Sequence, residues 1–439
     1  MTETILIENG IVITSNKNRT ILDPGFLIIQ DDKIIEVGRG TPSSGQKIDL
    51  KIDARHKAVL PGLIDSHYHS IALHRGGIDN LLATDMEKAF TEFYYPMLQR
   101  MTPEDTYNEA SLAYLECIRA GITTVNDMYR HIAACADAAE KIGIRAIISS
   151  EAADLFPGQE SLSDNENAFK AKDGVGDGRV KIWFGAEWIL ICSPEFYSKA
   201  RELTSKYNTG LHIHLAESIG EVEACKKKYG KRPAELMFDL NVLGSDVLAA
   251  HCVWLTDKEI RLLKETETAV STCPISNLKL GNGIARLHDM LVAGLEVGIG
   301  TDAYMNNFDM FEAMKYASIL QKGSRSDASS MPSYERAFSM ATIEGAGALC
   351  IDSEVGSLEV GKKADVILVD LDHPKFHPVL KGRFANVLPN IVYGAHGENV
   401  DTVIVDGKVL VENGEMKFID EERIFQNALR SAERVNGSG

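Results

Sequence analysis

The sequence predicts an α/β protein, namely a (β/α)8 barrel of the TIM type with a small composite β-sandwich domain formed from both termini. Eight β-type runs alternate with longer helical stretches across residues 59–356, and this alternation is typical of a barrel of parallel strands. The flanking segments 1–58 and 357–439 are instead rich in short β-runs joined by tight-turn residues such as Asp406-Gly407. Neither flank is long enough to bury a sheet alone, so we predict that they share one β-domain and that the second ends in a closing helix.

The predicted barrel strands are apolar runs bounded by turn residues. The eight runs are Val59–His67, Gly121–Met128, Arg145–Glu151, Lys181–Trp188, Gly210–Glu217, Val247–Trp254, Ala269–Pro274 and Glu296–Ala303. The helix after the first run is well marked, because Thr102 is a good N-cap residue and Pro103 follows it at the first helical position. A doubly wound open sheet is the alternative architecture, but no glycine-rich phosphate-binding loop follows any of the runs.

The composition indicates a protein that acts on a small molecule. With 46 basic and 63 acidic residues, the net charge of −17 argues against nucleic acid or an anionic membrane as the main partner. The seven cysteines are odd in number and none has CxxC spacing, which predicts buried thiols in a reducing compartment rather than a disulfide framework. The chain shows neither a signal-peptide pattern nor an apolar run long enough for a membrane span, so we expect a soluble, cytoplasmic protein.

Four of the predicted strands end in side chains that can bind a metal or transfer protons. The stretch LPGLIDSHYHS places His67 and His69 two residues apart, so in a β-strand both imidazoles point to the same face. The other groups are His214 and Glu217 at the end of the fifth run, His251 in the sixth, and Asp302 in the eighth. Because the strands of a barrel present their C-terminal ends at one face, we expect these side chains to meet there.

Three imidazoles and one carboxylate form a donor set suited to one Zn²⁺, or to another divalent transition metal such as Fe²⁺, with a position left for water. We assign the metal ligands as His67, His69, His214 and Asp302. The expected nucleophile is a metal-bound hydroxide, and its proton transfers are assigned to the catalytic residues Glu217, His251 and Asp302. His212 lies on the same strand face as His214, so the sequence alone leaves open which of the two is the ligand.

Five motifs carry a resemblance to a known family. In this order and at this spacing, the motifs PGLIDSHYH, HIHLAE, AHCVWL, CPISNLKL and GIGTDA resemble the amidohydrolase superfamily, and more narrowly its cytosine-deaminase-like branch. That branch holds S-adenosylhomocysteine/methylthioadenosine deaminases, guanine and pterin deaminases, and triazine hydrolases. The resemblance covers nearly the whole chain and implies a mononuclear zinc hydrolase that releases ammonia, or another leaving group, from a carbon–nitrogen heterocycle. It implies the same metal and proton-transfer residues, and we also expect a homo-oligomer.

The segment after the fourth strand departs from the family pattern. Adenosine-type relatives usually have a histidine there, whereas this chain reads GAEWIL, with Glu187 and Trp188. An ionised carboxylate only accepts hydrogen bonds, so Glu187 predicts a substrate that presents N–H donors, such as an aminopurine, a pterin or a guanidine-like ring. Alternatively, Glu187 pairs with a cation such as Arg130 and does not contact the substrate. The candidate substrate-binding residues are Glu187, Trp188, Arg130 and Asn277.

Other functions remain possible on the same scaffold. Chlorohydrolase-type or cyclic-amide hydrolysis is one alternative, with two metal ions bridged through Glu187. The three-residue spacing between His214 and Glu217 favours a single ion, because it belongs to the mononuclear deaminase pattern that the chain resembles. A catalytically inactive scaffold or binding protein is another alternative, but such proteins normally lose metal ligands and none is missing here.

Overall fold

The computed structural model describes residues 3–42, 45, 47–73, 75–77, 79, 88–302 and 307–437. Its N-terminal strands are β1 Thr4–Ile13, β2 Ile21–Gln30, β3 Lys33–Arg39, β4 Leu50–Asp53 and β5 Lys57–Pro61. The central strands are β6 Leu63–Tyr68, β7 Ile122–Tyr129, β8 Arg145–Ser150, β9 Val180–Ile182, β10 Phe184–Ala186, β11 Leu211–Leu215, β12 Val247–His251, β13 Ala269–Thr272 and β14 Val297–Ile299. The C-terminal strands are β15 Val366–Asp370, β16 Val400–Val405, β17 Lys408–Glu412 and β18 Glu415–Met416.

Helices follow most of the central strands in the described part of the chain. The α-helices are α1 Tyr95–Leu98, α2 Pro103–Arg119, α3 Ile132–Ile142, α4 Leu162–Lys172, α5 Pro194–Tyr207, α6 Ile219–Tyr229, α7 Pro233–Asp239, α8 Asp257–Glu265, α9 Pro274–Lys279, α10 Leu287–Val292, α11 Met310–Arg325, α12 Tyr334–Met340, α13 Ile343–Ala348, α14 Val387–Gly394 and α15 Glu421–Asn436. A π-helical stretch covers Ala89–Tyr94, and short 3-10 turns cover Pro374–Phe376, Gly382–Phe384 and Gly397–Asn399. No helix within the described ranges is both long and apolar enough to cross a membrane.

One nine-stranded sheet contains strands from both ends of the chain. Its hydrogen-bonded order is β18-β17-β16-β15-β5-β1-β2-β3, with β4 paired to β1. The two ends meet where β5 pairs antiparallel with β15. Apolar side chains from both ends, among them Ile5, Leu27, Leu368 and Ile404, form one buried core. The prediction of a composite β-domain is therefore confirmed.

The central strands form the predicted barrel in two parallel arcs. One arc is β6-β7-β8-β9 and the other is β10-β11-β12-β13-β14. At one side they are joined through Trp183, the residue between β9 and β10, and at the other Asp302 N–H donates to His67 O (3.0 Å). This bond places the C-terminal ends of β6 and β14 side by side. The predicted end of the last strand, Ala303, lies outside the described residues.

The first predicted strand, Val59–His67, was wrong in one respect, because it is two strands. β5 belongs to the composite sheet and β6 to the barrel, so β5 spans the predicted boundary after residue 58. The break falls at Gly62, where a Cβ would lie 2.0 Å from Thr123 Oγ1, so a larger residue does not fit. No polar side chain between residues 59 and 64 marks this change of sheet. The fourth predicted strand, Lys181–Trp188, is likewise divided into β9 and β10.

The predicted closing helix corresponds to α15. Helix α15 packs on α2, where Asn108 Nδ2 donates to Ser431 Oγ at 3.1 Å and Arg434 pairs with Asp105. The closing helix is therefore confirmed.

All seven cysteines are free thiols and six are buried, but Cys350 is exposed, contrary to the expectation that all of them are buried.

The Arg145→Met variant is expected to lose about 3–5 kcal/mol of unfolding free energy, because removing one partner of a buried ion pair leaves charge unpaired. Arg145, at the start of β8, donates to Asp365 at 2.8 and 3.0 Å and to Asp406 at 3.4 Å, and all three are buried. These contacts join the barrel to the composite sheet. Denaturant unfolding measures the loss. As a control, Lys199→Met removes an exposed pair with Glu202 and should leave the midpoint unchanged; equal losses would contradict this account.

Candidate metal centre and active site

Four side chains from three strand ends converge in one buried cluster. His69 Nε2 lies 3.4 Å from Asp302 Oδ1 and 3.4 Å from His214 Nε2. His67 Nε2 lies 3.6 Å from the same oxygen of Asp302. The residues are supplied by the ends of β6 and β11 and by the segment after β14. The structure therefore brings together the four ligands assigned from the sequence.

Hydrogen bonds on the outer ring nitrogens orient two of these histidines. His69 Nδ1–H donates to Met128 O at 2.5 Å, with Glu151 Oε1 at 3.1 Å. His214 Nδ1–H donates to Glu187 O at 2.6 Å. A ring nitrogen that donates in this way leaves the lone pair on the other nitrogen. Both Nε2 atoms therefore present lone pairs to the centre of the cluster.

His212 lies behind His67 rather than in the cluster. Its Nε2 is 2.8 Å from His67 Nδ1, and its Nδ1 is 3.2 Å from Ser149 Oγ, so both of its ring nitrogens have partners. Burial, together with the neighbouring imidazoles, lowers the pKa of His212 well below its usual range. Among the described residues, the groups that could hold a metal include His214 and leave out His212. This geometry favours His214 as the ligand.

Three donor separations in the cluster match those of a single tetrahedral metal site. Zn–N and Zn–O bonds of about 2.0–2.1 Å place tetrahedral ligand atoms about 3.4 Å apart. Three donor separations in the cluster, His69 to Asp302, His69 to His214 and His67 to Asp302, are 3.4, 3.4 and 3.6 Å. Among the described residues His67 Nε2 has no hydrogen-bond partner, and a cation would satisfy its buried lone pair. Burial lowers the pKa of His67 to about 3, which keeps the ring neutral as a metal ligand requires.

Asp302 is the anionic member of the cluster. Burial alone would raise its pKa, but the neighbouring imidazoles of His67, His251 and His69 hold the pKa well below its usual range. Oδ1 faces His67 and His69, while Oδ2 accepts a hydrogen bond from Ser276 Oγ. The carboxylate thus has one oxygen directed to two imidazoles and one directed to a hydroxyl.

Glu217 and His251 lie beside the cluster. His251 Nε2 is 3.9 Å from Glu217 Oε2 and 3.9 Å from Asp302 Oδ2. Hydrogen bonds hold the other polar atom of each side chain in place. His251 Nδ1–H donates to Asn277 Oδ1 (3.0 Å), and Asn282 Nδ2 donates to Glu217 Oε1 (2.7 Å). Burial raises the pKa of Glu217 above its usual value. A carboxyl group with a raised pKa can hold and pass a proton nearer neutral pH.

The backbone is left-handed at three of the strand ends that form the site. The φ angles are 51° at Ala216, 68° at His251 and 65° at Asp302. Such angles cost a non-glycine residue about 1–2 kcal/mol and are concentrated at functional sites. Buried Glu221 supports the first of these turns by accepting from Ala216 N–H (2.8 Å) and Glu217 N–H (2.7 Å). Glu221, which holds the proposed proton-transfer residue in position, was not predicted from the sequence.

Glu187 is buried after β10 and makes one side-chain hydrogen bond. Its Oε1 accepts from the Tyr95 hydroxyl at 3.3 Å, and within the described ranges its Oε2 has no hydrogen-bond partner. Burial, followed by the nearby charge of Glu151, raises the pKa of Glu187 to about 8. Among the described residues, Glu187 is absent from every group that could hold a metal, so the geometry favours one ion over a pair bridged by this carboxylate.

The other candidate substrate residues differ in their surroundings. Arg130 is buried after β7, and no ion pair among the described residues joins it to Glu187. Its charge acts on Glu160 and His131 instead. Trp188 is half-buried and packs against the barrel core. Asn277 is held by His251, as described above. Substrate contact by these residues remains a prediction.

The sequence pattern of the amidohydrolase family matches residues 58–410, and the chain belongs to this family. It is 39% identical over 438 residues to a 5'-deoxyadenosine deaminase of Methanosarcina acetivorans, covering 98% of each chain. It is 37% identical over 437 residues to a 5-methylthioadenosine/S-adenosylhomocysteine deaminase of Caldanaerobacter subterraneus, again covering 98% of each. The prediction of an aminohydrolase of the deaminase type is therefore confirmed.

Solved structures agree with this assignment. A zinc-bound adenosine deaminase from Xanthomonas campestris superposes with a TM-score of 0.91 at 26% identity, covering 98% of each chain. A zinc complex of atrazine chlorohydrolase from Arthrobacter aurescens superposes with a TM-score of 0.83 at 23% identity, covering 98% of this chain and 100% of the other. The second likeness shows the fold alone. The barrel with a terminal sheet is thus shared with enzymes of known structure.

Proposed function

We propose that the protein is a zinc-dependent aminohydrolase that deaminates a purine-like heterocycle. The metal ligands would be His67, His69, His214 and Asp302. The observation that carries the proposal is the convergence of these donors, three of whose separations are 3.4–3.6 Å, with Glu217 and His251 beside them. The named activities of the relatives and the zinc in the Xanthomonas campestris structure support it.

The chain's own residues supply the proton transfers. The metal, when bound, supplies the Lewis acidity that makes water a nucleophile near neutral pH. Asp302 is ionised and can accept the proton of the attacking water. His251, fixed by Asn277, directs Nε2 toward Asp302 Oδ2 and can orient that water. Glu217 has one oxygen fixed by Asn282 and the other directed to the site, so it can donate and accept protons at the ring.

The reaction balances with these groups alone. The oxygen of water bonds to the ring carbon that carries the amino group, and Glu217 protonates a ring nitrogen. The proton that Asp302 took from water passes to the amino nitrogen, after which the carbon–nitrogen bond breaks and ammonia leaves with its electron pair. The hydroxyl on the carbon then gives its proton to Glu217, so the product keeps the oxygen as a ring carbonyl and both carboxyl groups return to the states in which they began.

An ammonia-release screen tests the proposed function. Zinc-loaded protein is incubated with aminopurine nucleosides, free aminopurines, aminopyrimidines, pterins and aminotriazines, and ammonia is measured in a coupled assay. We expect release from at least one purine-like compound, at a rate at least about 100-fold lower for Glu217→Gln protein at the same concentration. Absence of release from every compound by protein with a full zinc content would contradict the proposal.

A further inference from the structure

The segment that follows β13 forms hydrogen bonds with all three residues assigned to proton transfer. Its side chains and their partners form the pairs Ser276–Asp302, Asn277–His251 and Asn282–Glu217. Both asparagines of the segment are buried, with 1% of Asn277 and 4% of Asn282 exposed, so bulk water does not compete for their contacts. One short stretch of chain therefore contacts every group that moves a proton in the proposed reaction.

Main-chain hydrogen bonds hold both asparagines in place independently of their side chains. Asn277 N–H donates to Cys273 O at 2.9 Å, and Asn282 N–H donates to Asn277 O at 2.8 Å. The indole N–H of Trp254 donates to Asn282 O at 2.7 Å. A change of either asparagine side chain therefore leaves these main-chain contacts in place.

The two asparagines contact their partners with opposite polarity. The amide oxygen of Asn277 accepts the Nδ1–H of His251, which leaves the lone pair of the neutral ring on Nε2. The amide N–H of Asn282 can only donate, so Glu217 Oε1 has to accept and Oε2 is left to exchange a proton with the substrate. The two remaining atoms, His251 Nε2 and Glu217 Oε2, lie 3.9 Å apart beside Asp302.

We propose that Asn277 and Asn282 are positioning residues, one acting as an acceptor and the other as a donor, which determine the atoms of His251 and Glu217 that face the substrate. This inference rests on the proposed function, because it concerns the same proton transfers. Neither asparagine has to touch the substrate or the metal in this role. Their substitution is therefore expected to lower kcat while KM and zinc content stay close to those of the parent.

The same two substitutions, made at both positions, test the inference. Aspartate has the shape of asparagine but only accepts hydrogen bonds when ionised, whereas leucine has a similar size and forms none. We expect Asn282→Asp to lower kcat by about 10- to 100-fold, because its carboxylate repels Glu217 Oε1, and Asn282→Leu to lower kcat by less. At position 277 the order should reverse. Asn277→Asp keeps the acceptor, whereas Asn277→Leu leaves the Nδ1–H of His251 without a partner and should lose more.

The measurements are kcat and KM for the best substrate of the ammonia screen, with zinc content and thermal midpoint for every variant. Asn18→Asp is the control for the substitution itself, because Asn18 is exposed in the turn between β1 and β2, and it should leave kcat unchanged. A further readout does not depend on activity. In Glu217→Gln/Asn282→Asp protein the donor and the acceptor are exchanged, so the thermal midpoint should recover relative to Asn282→Asp alone.

Three results would overturn the inference. The first is a smaller loss of kcat for aspartate than for leucine at both positions, as expected of side chains that only fill space. The second is a change in KM with kcat unaltered. The third is an exchanged pair whose midpoint does not recover. These results differ from failure of the ammonia screen by the parent protein, which would contradict the proposed function and would leave the midpoint comparison still to be made.

Discussion

Glu217→Gln protein should keep its fold and its zinc while kcat falls by about 10²- to 10⁴-fold. Glu217 is outside the four-ligand cluster, and its free oxygen lies 3.9 Å from His251 Nε2, so its substitution removes a proton carrier and leaves the metal donors intact. Glutamine can still accept from Asn282, which preserves the local hydrogen bond. The measurement is kcat for the best substrate from the ammonia screen, together with zinc content and thermal midpoint.

The control for Glu217 is Glu223→Gln. Glu223 lies on α6 only six residues further along, but its side chain is exposed and pairs with Lys226. This substitution should leave kcat unchanged. Full activity of the Glu217→Gln protein would mean that Glu217 only supports the start of α6, and the proton-transfer assignment would then be wrong.

His214→Asn protein should lose both bound zinc and activity. His214 supplies one of the donors that lie 3.4 Å apart at the centre, and a tetrahedral site that loses one of its protein ligands holds its ion far less tightly. Zinc per chain after dialysis should fall well below that of the parent, and ammonia release should fall in parallel. This pattern differs from Glu217→Gln, in which the metal stays and only the rate falls.

Two further variants make the His214 result specific. His377→Asn changes an exposed histidine paired with Asp372, and should keep full zinc and activity. His212→Asn should keep more zinc than His214→Asn, because His212 contacts His67 from behind. If His214→Asn kept its zinc while His212→Asn lost it, His212 would be the ligand from β11.

The fold could be predicted because its pattern is local. Strand runs, tight turns and helix caps each depend on residues that are a few positions apart in the chain. An example is the helix start at Thr102 and Pro103, where the structure has a capping box. The break at Gly62 could not be predicted, because its cause is the close approach of Thr123 from a different segment. A buried apolar run gives no sign of which sheet each half joins.

The convergence of the proposed metal ligands was predictable for a related reason. The barrel brings strand ends to one face, so residues such as His67 and Asp302 can be placed together from their positions along the strands. Glu221 and Glu151 were missed, because each acts through a contact that depends on packing: Glu221 holds a left-handed turn, and Glu151 reaches His69 across two strands. An acidic residue at a helix start or strand end has no sequence feature that separates these roles.

Metal content of the purified protein tests the central claim most directly. Elemental analysis by mass spectrometry, scaled to protein concentration, is done before and after dialysis against a chelator and after return of zinc, with ammonia release followed in the same samples. The account predicts one metal ion per chain, loss of activity with the ion, and recovery of both when one equivalent of zinc is added. Two stoichiometric ions per chain, or ammonia release that persists in metal-free protein, would contradict it.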